Sequence, residues 1–130
     1  MATKQTRLYW NPQDKRTLED SSGNQLRNVS ASDLLPMSLM GCSVHDVVEI
    51  LIKQRQDLRE IKITSEHTQD ENPPWKFRKI HLHYQIYGKG IDIEKAKKAV
   101  KLSEEKYCAV YATLKDVIEI TDEVEVIEVE

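Results

Sequence analysis

Alternation of apolar and polar residues is clearest over 79–87, where Ile80, Leu82, Tyr84 and Ile86 face one way and His81, His83 and Gln85 the other. A repeat of two marks a strand with one face against a core. Ile61-Lys62-Ile63-Thr64 alternates likewise, and the polar stretch between the two, with Asn72-Pro73-Pro74, predicts a hairpin with a long loop. Nearer the start, Leu8 and Trp10 share one face of a short strand, and 26–29 supplies another after the turn Ser21-Ser22-Gly23-Asn24. Gly88 and Gly90 read as turns. At the far end, 117–120 and 123–126 predict two short strands with their glutamates outward.

Elsewhere the period changes to that of a helix. Over 34–55, at about 100° per residue, Met37, Met40, Val44, Val47, Val48 and Leu51 crowd one side, which predicts a largely buried helix. Ser30 or Ser32 can cap its start, Asp33 suits the positive end of its dipole, and Pro36 is expected in the first turn, where its missing N–H costs little. Within about 60° of Cys42 on this wheel lie Leu35, Ser38, Leu39, His45, Asp46 and Glu49, so the thiol sits on a polar-leaning face. Asp92 caps a second helix whose stripe, Ile93, Ala96, Ala99, Val100 and Ser103, continues toward Tyr107, Val110, Tyr111 and Leu114, the pattern being equally consistent with a break near Cys108. Strands, helix, hairpin, helix, strands, with no glycine-rich strand-to-helix turn, predict an α+β fold in a single domain over 1–130.

Composition narrows the function. With 39% hydrophobic and 32% charged residues, the chain reads as a folding, non-repetitive protein. A net charge of -3 leaves no field to steer it onto phosphates, so nucleic acid is not an expected partner. The start lacks a basic segment followed by an apolar run, and the longest apolar stretch, 34–52, is broken by His45, Asp46 and Glu49, so a cytoplasmic location with no membrane partner is expected. In a reducing compartment, two cysteines 66 positions apart are not a stapling disulfide: Cys42 and Cys108 are plain buried thiols or functional ones.

No CxxC, HExxH, GxxxxGK[ST] or GxSxG occurs, which removes the signatures of thioredoxin-like, zincin, P-loop and α/β-hydrolase chemistry. His81 and His83 share a strand face at a spacing that can hold a metal, with Cys42 or Cys108 as further ligands, but no ligand cluster accompanies them and a solvent-facing pair is the simpler reading. A reactive thiol needs a cation or donor nearby, since a free cysteine is only a few per cent thiolate at neutral pH. His45 is the nearest local donor, although Asp46 and Glu49 on the same face disfavour a thiolate and make it an ordinary surface histidine. Gly41 before Cys42 gives up about 1 kcal/mol of helix propensity, a loss that serves close packing or access. The alternating glutamates of the C-terminal segment fit a charged strand edge.

Two segments carry a resemblance. Leu34-Leu-Pro-Met-Ser-Leu-Met-Gly-Cys42-Ser-Val-His-Asp-Val-Val-Glu-Ile-Leu and Leu102-Ser-Glu-Glu-Lys-Tyr-Cys108-Ala-Val together resemble the OsmC-like family of small thiol proteins, over roughly 34–124, and most of all its short branch. The resemblance implies antiparallel sheets wrapped around long central helices in an intertwined homodimer, with sites at the subunit interface. It also implies a thiol-dependent peroxidase that reduces organic hydroperoxides in oxidative-stress defence without metal or organic cofactor. Cys42 would be the attacking thiolate and Cys108 the resolving thiol, and a small dithiol or a thiol protein would reset the pair. Peroxidatic members carry a glutamate ten residues before the first cysteine that holds an N-terminal arginine against the thiolate; here that position is Ser32, followed by Asp33, and Arg27 and Arg7 are the guanidinium candidates. The alternative, from a different class, is a non-catalytic stress protein of the same fold that binds a small apolar or thiol ligand in the dimer cleft.

Overall fold

In the computed structural model, which describes residues 1–130, the chain divides into two units, 1–35 and 36–130. The first holds an antiparallel sheet of three short strands, β1 (Arg7–Asn11), β2 (Lys15–Glu19) and β3 (Gln25–Arg27), in that order. Side chains close both turns: Asn11 Oδ1 accepts the N–H groups of Gln13 and Asp14 at 3.1 and 2.7 Å, and Asp20 Oδ1 accepts those of Ser22 and Asn24, each at 2.9 Å. The strand β2 was not expected, because Lys-Arg-Thr-Leu-Glu offers a single apolar residue to alternate. Pairing lines up Leu8, Leu18 and Leu26 across the three strands.

The helix α1 (Ala31–Lys53) begins in the first unit and carries Cys42 in the second. It starts directly after Ser30, the earlier of the two expected caps, so Pro36 lies in its second turn, not its first, and the Ser32 carbonyl loses its helical donor. The buried stripe is also rotated from the expected one: it is Pro36, Leu39, Ser43, Val47 and Leu51, while Met37 is 40% and Ile52 60% exposed. The helix is therefore apolar on two faces, of which one is covered within this chain. It is long and apolar enough to cross a membrane by length and composition alone, yet its buried stripe belongs to the protein core.

A second sheet, β4 (Asp57–Gln69), β5 (Phe77–Lys89) and β6 (Glu119–Glu128), supplies the other half of that core. β4 and β5 form the expected hairpin, and Ile80, Leu82, Tyr84 and Ile86 of the central strand are at most 2% exposed. Each such aliphatic side chain contributes about 1.5–3 kcal/mol by leaving water. The C-terminal segment differs from expectation in two ways. It is one continuous strand, with Val117 and Ile118 in the turn before it, and it pairs parallel to β5, so this sheet is mixed and not antiparallel. A parallel partner needs a crossover, here α2 (Ile93–Leu102), a π-turn (Ser103–Tyr107) and α3 (Ala109–Leu114). Gly88 is not a turn residue either: it lies buried inside β5.

Asp92 caps α2 as its sequence suggested, with its side chain accepting the Glu94 N–H at 2.9 Å. Of the two readings left open, a continuous helix and a break near Cys108, the structure has the break, at the π-turn. Counting four residues on from Ser103 would bury Tyr107, but the wide turn, closed by Cys108 N–H to Ser103 O at 2.8 Å, adds one residue to the step. Tyr107 is thereby 60% exposed and Cys108 3% exposed.

Candidate active site

Cys42 and Cys108 come together from different elements of the second unit, and both are free thiols. Cys42 is half-buried on α1, beside the covered stripe. Cys108 is buried at the junction between the π-turn and α3, where its Sγ caps α3 by accepting the Tyr111 N–H at 3.3 Å. Burial pushes the Cys108 thiol up to about 11; the Tyr111 N–H opposes that rise and the neighbouring Cys42 adds to it.

Around the pair lies a polar network that the sequence did not announce. The Tyr84 hydroxyl, on the central strand, hydrogen-bonds Ser43, the residue after Cys42, and burial holds its phenol well above the ordinary range. Ser103 donates to Asp46 Oδ2 at 3.1 Å and so ties the π-turn to the helix of Cys42. Glu104, next in the π-turn, is pushed up to about 9, first by burial and then by the facing carboxyl of Asp122 on β6. The signal for this network was present in part: Tyr84 and Ser103 occupied core-facing positions of their elements although both carry hydroxyls, and a buried hydroxyl calls for a partner.

The histidine candidates separate from the thiols. His45 turns to solvent, 3.6 Å from Glu49 with its side chain 71% exposed, which is the surface role its neighbours suggested. His81 and His83 project from the face of β5 opposite to Tyr84, so neither cysteine joins them. His81 instead meets Thr121 at 2.7 Å and Glu123 at 3.1 Å, and His83 meets Glu125 at 3.1 Å. The His81 hydrogen bond, with His83 beside it, holds the Glu123 carboxyl below its ordinary value. Ser32 bonds Ser30 Oγ at 3.1 Å at the start of α1, Arg7 reaches Gln5 at 3.5 Å, and Arg27 lies exposed in β3.

What the arrangement offers is a dithiol: one sulfur with access to solvent, and a second in the core kept protonated. That is the geometry for forming and breaking one intramolecular disulfide. Known proteins resemble this chain in sequence and in fold. The sequence profile described as OsmC-like protein matches residues 23–123. The chain is 37% identical over 119 residues to the Escherichia coli protein YhfA, covering 84% of this chain and 87% of that one. Among solved structures, a hypothetical protein from Aquifex aeolicus superposes with a TM-score of 0.83 at 30% identity, over 98% of this chain and 100% of that one. An organic hydroperoxide resistance protein OsmC from Legionella pneumophila shares the fold at a TM-score of 0.64 and 16% identity, over 96% and 98% of the two chains. By profile, relatives and fold alike, the chain belongs to the OsmC-like family.

Proposed function

We propose that the protein is a thiol-dependent peroxidase that reduces organic hydroperoxides through Cys42 and Cys108. The observation that carries this reading is the adjacency of the two thiols with Cys108 held protonated up to about 11. Such a thiol is ionised to only about one part in ten thousand at pH 7, so the attacking sulfur is the half-exposed Cys42. Its thiolate displaces alkoxide from the peroxide, the O–O bond breaks, and the alkoxide takes a proton to leave as ROH. The resulting Cys42 sulfenic acid is then attacked by the Cys108 sulfur; the S–S bond forms and hydroxide departs, gaining a proton as water. A small dithiol or a thiol protein of the cytoplasm reduces the disulfide.

The working unit in this reading is a homodimer. Its support is the outward apolar face of α1, with Met37 and Ile52 exposed, and the exposed Leu8, Trp10 and Leu26 of the first sheet. The second reading, a non-catalytic binder of a small apolar or thiol ligand, draws on Ser32, which stands where peroxidatic members carry the glutamate that holds an arginine.

Rapid mixing of the reduced protein with cumene hydroperoxide decides between them. The peroxidase reading expects fast loss of both thiols, abolished in Cys42→Ser and stopping at sulfenic acid in Cys108→Ser. Oxidation no faster than that of a free cysteine sinks it in favour of the binding module.

A further inference from the structure

The π-turn delivers Cys108 to the core, and two side-chain links hold it there. Ser103 reaches Asp46 on α1, and Glu104 faces Asp122 on β6. The second link is chemically unusual. Glu104 Oε1 is sealed from water and meets no N–H or O–H of the protein, while its hydrogen-bonding neighbour, Asp122, is another carboxyl. Two bare carboxylates in that position repel, and a sealed oxygen without a donor is costly. One proton relieves both, because a protonated Glu104 donates to Asp122 and, being neutral, leaves no buried charge on the sealed oxygen.

We propose that Glu104 is a positioning residue for the resolving step: in its protonated form it latches the π-turn to β6 through Asp122 and so holds the Cys108 thiol against Cys42. The inference rests on the reading of Cys108 as the resolving thiol and concerns how that thiol is presented, not how peroxide is cleaved.

The surroundings favour the protonated form at neutral pH. Glu105 of the same turn adds negative charge, and Tyr111 of α3 and Val124 of β6 line the same hollow, as does Glu123 of β6, whose carboxylate is engaged by His81 at 3.1 Å. On the central strand, Tyr84 stands within electrostatic range of Glu104, Asp122 and Cys108. Asp46, the charged group toward α1, is engaged by Ser103. The cations at hand are Lys97 and Lys101 of α2, which line the same hollow; Lys101 is turned to Glu105 at 3.9 Å. Glu104 accordingly keeps its proton until about pH 9. Above that, the latch becomes a repelling pair and the π-turn loses its tie to β6.

Closure of the pair can be followed without peroxide. Dithionitrobenzoate meets the half-exposed Cys42 before the buried Cys108 and leaves a mixed disulfide on it. Cys108 then loses its proton to solvent, its sulfur attacks that of Cys42, and thionitrobenzoate is ejected as a coloured thiolate. The rate of this second release is read from pH 6 to 10 for wild type, Glu104→Gln and Glu104→Ala in the full-length protein. Glutamine carries its donor permanently, so the ratio of wild type to Glu104→Gln cancels the titration of the thiol itself. The ratio is expected near one up to pH 8 and to fall about tenfold per pH unit beyond the Glu104 titration. Glu104→Ala is expected to close slowly at every pH.

A flat ratio across the range overturns the proposal, whether or not Glu104→Ala folds, and so does a Glu104→Ala variant that closes like wild type. If peroxide leaves Cys42 untouched while the closure ratio falls as expected, the latch stands and the peroxidase reading fails. If peroxide oxidises Cys42 rapidly and the ratio is flat, the reverse holds.

Discussion

Gly88 has no room for a side chain: a Cβ built there collides with the Ile91 side chain and with the Asp57 backbone carbonyl. A flexible side chain can move aside, but a carbonyl within a β-pair moves only with its strand. Gly88→Ala is therefore expected to cost about 1–3 kcal/mol or more, read as a lower urea midpoint at unchanged slope; an unchanged midpoint would mean that β4 and β5 sit farther apart than here. Glu104 makes a second residue-scale prediction, in stability alone. Its folded carboxyl is raised from 4.5 to about 9, so between those values the folded chain keeps a proton that the unfolded chain releases. Its contribution is full below the unfolded value and is lost as pH rises toward the folded one. The urea midpoint should thus decline from pH 5 to pH 9 by an amount that Glu104→Gln removes, and equal pH slopes in the two proteins would refute the raised value.

At the scale of elements, what was legible followed one simple period at a time. The β5 alternation, the Asp92 cap and the placement of Cys42 beside the polar margin of α1 all follow from local rules. What was not legible came from steps that break the period or from partners far along the chain. A π-turn leaves no mark in composition, so a regular wheel carried the α2 stripe to Tyr107 and missed that Cys108 takes the inward place. The rotation of the α1 stripe was equally hidden, because a helix apolar on two faces does not say which one its own sheet covers. The Glu104–Asp122 pair joins residues on a turn and a distant strand, which no spacing rule connects. The π-turn itself is open to test. With Tyr107 60% exposed, Tyr107→Lys should change stability by less than about 0.5 kcal/mol. A regular helix there would bury the tyrosine, and the same substitution would then cost several times more in a urea titration.

For the whole molecule the decisive quantity is how much apolar surface one chain leaves uncovered. Covering the outward face of α1, with Met37 and Ile52 exposed and Val44 and Val48 half-buried, on two copies returns at most on the order of 10 kcal/mol. The loss of free motion on association takes about 4–15 kcal/mol, so this face alone gives a marginal dimer. The first sheet offers a second surface, since Leu8 is 58%, Trp10 63% and Leu26 47% exposed. If both surfaces are needed, either one is a point of failure. Sedimentation of wild type is then expected to give twice the 15.1 kDa chain mass, and Val48→Glu and Leu26→Glu should each shift it toward one chain while far-ultraviolet circular dichroism is kept. A dimer lost only with Val48→Glu would assign association to α1 alone. A wild type that sediments as one chain at micromolar concentration would remove the dimer from the proposal and leave the thiol pair, which lies wholly within residues 36–130, to work in a single copy.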